Sequence, residues 1–204
     1  YRLAEDYDIQ LPVMVHYDGF YLSYLSEGVD VPFQEDVDRF LAVLKDQPER
    51  TKLLPGGRLG CGSHGILGGY LELRHKHMAA MERAKAKFDK IDKEYEAIFG
   101  RSYGGQVEEY RMADADVVLV GSGSMCGTIK SVIDQRREAG VKVGLLKMRM
   151  FRPFPGEAMV NALKGRKAIG VVDRSLNFGH KGGPFYTELK AFETQLDGSP
   201  MISF

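Results

Sequence analysis

Three short stretches carry the residues of this sequence best suited to chemistry. The first is the turn Gly121-Ser122-Gly123-Ser124-Met125-Cys126-Gly127, between an apolar run at 117–120 and a helical pattern. Backbone amides at such a strand-to-helix turn can cradle a phosphate. A dinucleotide site also wants an acid at the end of the next strand. Lys147 and Arg149 stand there instead, which disfavours NAD and leaves the 2′-phosphate of NADP open. A tight turn without a ligand is the competing reading. The second stretch is Phe151-Arg152-Pro153-Phe154-Pro155. Arg152 suits a carboxylate, a phosphate or an acid on a partner subunit; the alternative is a solvated arginine at a rigid proline corner. The third begins at Asp173-Arg174 and runs through the glycine-rich loop 177–183 with His180 and Lys181, whose cations and amides suit an anion. Arg149, Arg152, His180 and Lys181 are therefore anion- or partner-facing candidates, with a plain surface loop as the rival reading of the last two.

Other chemistry is poorly supported. His75 and His77 are two apart, a spacing that splits them onto different faces of a helix, so no metal pair is expected. The two cysteines, Cys61 and Cys126, form no CxxC pair, and neither a disulfide framework nor a four-cysteine zinc or iron–sulfur site is expected. Both are read as unreactive. No Ser/His/Asp set is arguable from the sequence, and no catalytic residue is assigned.

The elements that would position these residues follow from periodicity. Residues 11–17 (LPVMVHY) form an apolar run ending in the Asp18-Gly19 turn signal and read as a buried strand. Val37, Phe40, Leu41 and Leu44 have helical spacing behind an acidic first turn. Residues 48–69 are glycine-rich and read as a connector. Met81, Ala84, Phe88, Ile91, Tyr95 and Ile98 follow a 3,4,3,4,3 stripe, predicting a long amphipathic helix stopped at Gly100. That helix either packs on its own domain or acts as a strut or assembly surface. From residue 114 strands at 117–120, 141–146, 169–172 and 201–204 alternate with helices, one after the 121–127 turn and others at 157–163 and 186–192. This predicts an α/β domain with a parallel sheet and helices on both faces.

Composition bounds the rest. The 204 residues include 44% hydrophobic and 27% charged residues, ordinary for a folded chain that can build a core. Basic and acidic residues each number 28, and this balance lacks the basic excess of a nucleic-acid binder. No apolar run approaches the roughly 20 residues of a membrane span. A cytoplasmic protein with no nucleic-acid or membrane partner is expected.

Read in order, LPVMVHYDGF, QEDVDRFL, FGRSYGGQVEEYRMADADVVLVGSGSMCGTIK, GVKVGLLKMRMFRPFP and AIGVVDR resemble the α subunit of the 2-oxoacid:acceptor oxidoreductases, the pyruvate:ferredoxin oxidoreductase (pyruvate synthase) family. The resemblance runs from about Leu11 to Lys190. It implies an enzyme subunit, inactive alone, of a complex that oxidatively decarboxylates a 2-oxoacid and transfers the acyl group to coenzyme A. Thiamine diphosphate with Mg²⁺ is implied mainly on a β-type partner, and iron–sulfur clusters on other subunits. Partners of β, γ and δ type and a ferredoxin or NAD-linked acceptor follow. It also implies a division: 1–31 as the end of a pyrimidine-binding cofactor domain whose activating glutamate lies upstream, 32–110 as a connector with the long linking helix, and 111–204 as a transketolase-C-terminal-like domain. Asp18, Gly19 and Phe20 become cofactor-binding candidates. Two departures bear on the substrate. Tyr24 follows Ser23 where many members have histidine, and the glycine pattern at 53–69 is unfamiliar. An aryl-glyoxylate such as phenylglyoxylate is thus an alternative to pyruvate. A free-standing NADP-binding domain and a non-catalytic assembly module are the readings from other classes.

Overall fold

The computed structural model describes residues 1–44, 55 and 69–204, which form two compact units. The reading of Cys61 and most of the glycine-rich connector lie outside the described residues.

One unit comprises residues 1–15 and 28–103. Helix α1, Gln34–Leu41, continues as a 3₁₀ turn over Ala42–Leu44. Glu35 and Asp36 occupy its first turn and Arg39 its last, the order the helix dipole favours. Its half-buried residues include Val37, Phe40, Leu41 and Leu44, the stripe expected from spacing. Helix α2, Tyr70–Phe99, has 30 residues, about 45 Å at 1.5 Å per residue. It starts well before the first residue of the expected stripe. Ala80 and Ala84 are its buried positions, and Phe40 packs edge-on against Tyr95 and Phe99 at 5.5 and 5.7 Å. Arg2 lies 4.8 Å over the Phe40 ring, donates to the Phe40 carbonyl and pairs with Glu94. The α2 stripe thus faces its own unit over at least part of its length. Gly100 ends α2 with φ +70°, its N–H donating to the Glu96 carbonyl, as the stop signal predicted.

The expected buried strand at 11–17 does not form. These residues have no ladder partner, and Met14 and Val15 are 80% and 85% exposed. An apolar run sets a strand's preference, but its backbone groups need a neighbouring strand to pair with, and among the described residues none pairs with this run.

The other unit comprises residues 16–27 and 104–204. Its strands are β1 (Val107–Tyr110), β2 (Val117–Gly121), β3 (Val143–Met148), β4 (Ala168–Val171) and β5 (Met201–Ser203), in the order β1-β3-β2-β4-β5. β2 pairs in parallel with β3 and β4, and β4 with β5; β1 is an antiparallel rim on β3, with Val107 opposite Met148. The expected parallel sheet with flanking helices is present, and the antiparallel rim is added to it; Val-Glu-Glu-Tyr has too little apolar alternation to read as a strand. Helices α3 (Met125–Glu138), α4 (Gly156–Leu163) and α5 (Pro184–Lys190) connect the parallel strands. Alternating side chains divide between two cores. Val118, Val120, Leu146 and Met148 meet Met159 and Leu163 of α4 and Leu189 of α5. Val117, Leu119, Val143 and Leu145 meet Cys126 and Ile133 of α3. Helices therefore cover both faces. No helix is long and apolar enough to cross a membrane among the described residues.

Candidate functional site

The strand order fixes where this sheet can offer a site. The chain winds outward from β2 to β3, then crosses back to β4 and on to β5. The winding reverses between β2 and β4, and in open α/β sheets ligands bind outside the carboxyl ends of the strands at that reversal. The turn 121–127 follows β2, and Asp173 and Arg174 follow β4, so two of the three stretches singled out from sequence meet at this place. The proline corner follows β3.

A carboxylate of the chain itself fills the crevice. Asp18, from the segment 16–27, accepts the Ser124 N–H at 2.8 Å on Oδ2 and the Arg174 guanidinium on Oδ1. The Asp18 side chain is 15% exposed. Hydrogen bonds from Ser124, side chain first and amide second, together with the Arg174 charge, outweigh burial and hold its carboxyl below the usual range. Ser124 is the N-cap of α3, where free amides and the helix dipole favour an anion, so Asp18 stands where a ligand phosphate would. Gly123, at φ +71°, makes room: a Cβ there would lie 3.1 Å from Asp18 Oδ2. Ser122 Oγ donates to the Met148 carbonyl at 2.9 Å and ties the ends of β2 and β3 together. No sequence signal links positions 18, 124 and 174, and the role of Asp18 in this crevice was not anticipated.

Asp173 is used internally. Its two oxygens accept the Phe185 and Tyr186 N–H groups at 3.0 and 3.1 Å, satisfying orphan donors of the first turn of α5. Gly183 permits this approach, since a Cβ would meet the Asp173 side chain at 2.2 Å. In the loop between them, Asn177 Nδ2 donates to Thr187 Oγ1 at 2.9 Å, while His180 and Lys181 are exposed. Phe178 protrudes fully into solvent.

The remaining candidates lie elsewhere in this unit. The Arg149 guanidinium donates to the Gly105 carbonyl at 3.2 Å. Arg152 pairs with Glu188 of α5 and lies 4.2 Å over the Phe151 ring, next to a cis bond to Pro153. The structure therefore gives Arg152 an acid within its own chain. Gly19 and Phe20 follow Asp18 in an exposed turn, with Phe20 at φ +63° and stacked on Tyr24 at 4.9 Å.

Lys147, read as an NADP determinant, belongs to an ion cluster on the rim. Glu108 of β1 binds Lys147 at 3.1 Å and also pairs with Lys130 of α3. Burial raises the Glu108 pKa, but hydrogen bonds and charges from both lysines outweigh it and leave it below its usual value. Cys126, beneath, is buried, and burial pushes its thiol up to about 11. A protonated thiol is a poor nucleophile. With Ser124 N–H, Lys147 and Arg149 all engaged within the chain, the NADP reading loses the features that motivated it. Among the described residues, no group of three or more His, Cys, Asp or Glu could hold a metal ion.

Comparison with known proteins shows what this chain is similar to. Residues 115–204 match the model for pyruvate:ferredoxin oxidoreductase core domain II. The pyruvate synthase subunit PorA of Methanothermobacter thermautotrophicus is 42% identical over 191 residues, covering 94% of this chain and 49% of the relative. The α subunit of the NADH-dependent phenylglyoxylate dehydrogenase of Aromatoleum evansii is 38% identical over 197 residues, covering 92% of this chain and 46% of the relative. The chain thus spans about half the length of the curated relatives it matches. A solved 2-oxoglutarate:ferredoxin oxidoreductase from Magnetococcus marinus aligns over 72% of this chain and 22% of its own at TM-score 0.41 and 16% identity.

Proposed function

We propose that this chain, a relative of the pyruvate synthase PorA subunits over nearly all its residues, works as part of the α subunit of a 2-oxoacid:acceptor oxidoreductase. The reaction is R–CO–COOH + CoA–SH → R–CO–S–CoA + CO₂ + 2H⁺ + 2e⁻, with pyruvate or a pyruvate-like acid as substrate. The observation that carries this reading is the 42% identity to PorA across 94% of the chain. The likeness to the phenylglyoxylate dehydrogenase α subunit favours a second reading, an aryl-glyoxylate as the acid.

The chemistry of such a reaction belongs to thiamine diphosphate, which would supply an electron sink for decarboxylation. The described residues do not fit that group. The anion position at the start of α3 is taken by Asp18, and no metal-holding cluster stands among them. We therefore assign thiamine diphosphate and Mg²⁺ mainly to a β-type partner and the iron–sulfur clusters to other subunits of an assembly with β-, γ- and δ-type chains, with a ferredoxin or NAD-linked acceptor. Within this reading, 1–31 closes a cofactor domain, 32–110 links, and 111–204 is the transketolase-C-terminal-like domain.

The test is CoA-dependent reduction of a viologen dye by the purified native assembly. Pyruvate is expected to exceed phenylglyoxylate at least tenfold in kcat/KM. The reverse order establishes the second reading. No reduction with pyruvate, phenylglyoxylate or 2-oxoglutarate sinks both.

A further inference from the structure

Residues 16–27 are an excursion. The chain on either side, 1–15 and 28–103, packs as one unit, whereas the excursion packs with 104–204. Two polar contacts that tie it down end on one carboxylate: Ser124 N–H on Oδ2 and the Arg174 guanidinium on Oδ1 of Asp18. Beyond Asp18 the excursion closes on itself. Leu22 N–H donates to the Asp18 carbonyl at 3.2 Å, Phe20 N–H to Ser23 Oγ at 2.9 Å, and Tyr24 N–H to the Phe20 carbonyl at 3.0 Å. This self-bonded turn holds its aromatics outward, Phe20 at 75% and Tyr24 at 78% exposure. Both Asp18 oxygens are engaged by the sheet's own donors, so the group with the right charge for a ligand is spent on anchoring.

We propose that Asp18 is a positioning residue, which clips the excursion into the crevice between the ends of β2 and β4 and thereby sets where Gly19, Phe20 and Tyr24 stand. A charge-assisted pair plus a backbone amide at a helix N-terminus is a strong, geometrically specific anchor. It differs from the cofactor-binding role that the resemblance implied for Asp18. The anchoring stands on geometry alone; its consequence for turnover rests on the function proposed above.

The experiment is limited chymotrypsin digestion of the purified chain, with hydrogen exchange in β2 and β4 as the check that the sheet is intact. Asp18→Ala is expected to speed cleavage after Phe20, Tyr21 or Tyr24 at least tenfold, and Arg174→Gln at least threefold. The double variant is expected to be cleaved no faster than Asp18→Ala, because both substitutions release the same clip. Rates within twofold of the parent for both single variants overturn the proposal. If Asp18→Ala fails to fold, Arg174→Gln decides by the same criterion. In the assembled enzyme Asp18→Asn is expected to lower kcat for the 2-oxoacid at least tenfold while KM changes less than threefold. A change confined to KM counts against positioning. A parent assembly that shows no turnover removes the functional reading and leaves the digestion result standing.

Discussion

Cys126 ties one side chain's ionisation to the stability of the sheet. Its thiol is buried against Ile133 and Leu145, and desolvation raises its pKa to about 11 from 9.0. The unfolded chain therefore sheds this proton at lower pH than the folded one. The stability contributed by the buried neutral thiol is fully present below about pH 9 and is lost as pH rises towards 11. Urea unfolding of the parent and Cys126→Ala between pH 8 and 11 checks this. The stability gap between them is expected to shrink by roughly 1–2 kcal/mol across the window, one pKa unit being about 1.4 kcal/mol. A gap that does not change with pH shows that the thiol is not shielded.

Two glycines in helices separate packing from propensity. Gly156 opens α4, and a Cβ there would meet the Phe192 ring at 2.2 Å, a ring already stacked on Phe154 at 5.5 Å. Gly127, in the first turn of α3, has open space where a Cβ would go. Gly156→Ala is expected to destabilise by about 1–3 kcal/mol through overpacking. Gly127→Ala is expected to stabilise by up to about 1 kcal/mol through helix propensity. Thermal melts of both variants check the pair, and equal shifts would refute the packing argument. The same contrast explains which elements were legible in sequence. Helices α1 and α2 and strands β2 to β5 announced themselves because apolar spacing marks a face that must be buried. Strand β1 did not, since half of it is glutamate and its pairing is decided by β3. The run at 11–17 misled for the opposite reason: it has the apolar residues of a strand and, among the described residues, no partner strand to make it one. Asp173 was legible as the end of a strand, but its task as the acceptor for α5 depends on Gly183, ten residues away.

At the scale of the chain, the two units have unequal cores. Ile9, Ala80 and Ala84 are the buried apolar residues described in the unit holding α1 and α2, whereas the sheet unit buries most of β2, β3 and β4. Local stability follows buried apolar contact, so amides of β2, β3 and β4 are expected to exchange at least a hundredfold slower than those of α1 in native-state hydrogen exchange. Comparable protection in both would show that α1 and α2 gain stability from something beyond their own small core. The division itself was only partly readable. Strand–helix alternation from about residue 114 marked the sheet pattern, but the excursion at 16–27 depends on contacts spanning 106 and 156 residues, for which no local pattern exists. The rim of the sheet has one further consequence. Glu108 on β1 is neutralised by Lys147 and Lys130 and is the middle of a short antiparallel strand. Because Glu108 faces Lys147 across the β1–β3 ladder, this ionic lock clamps the rim strand to the parallel strands, and raised ionic strength is expected to loosen β1 before β2, β3 or β4.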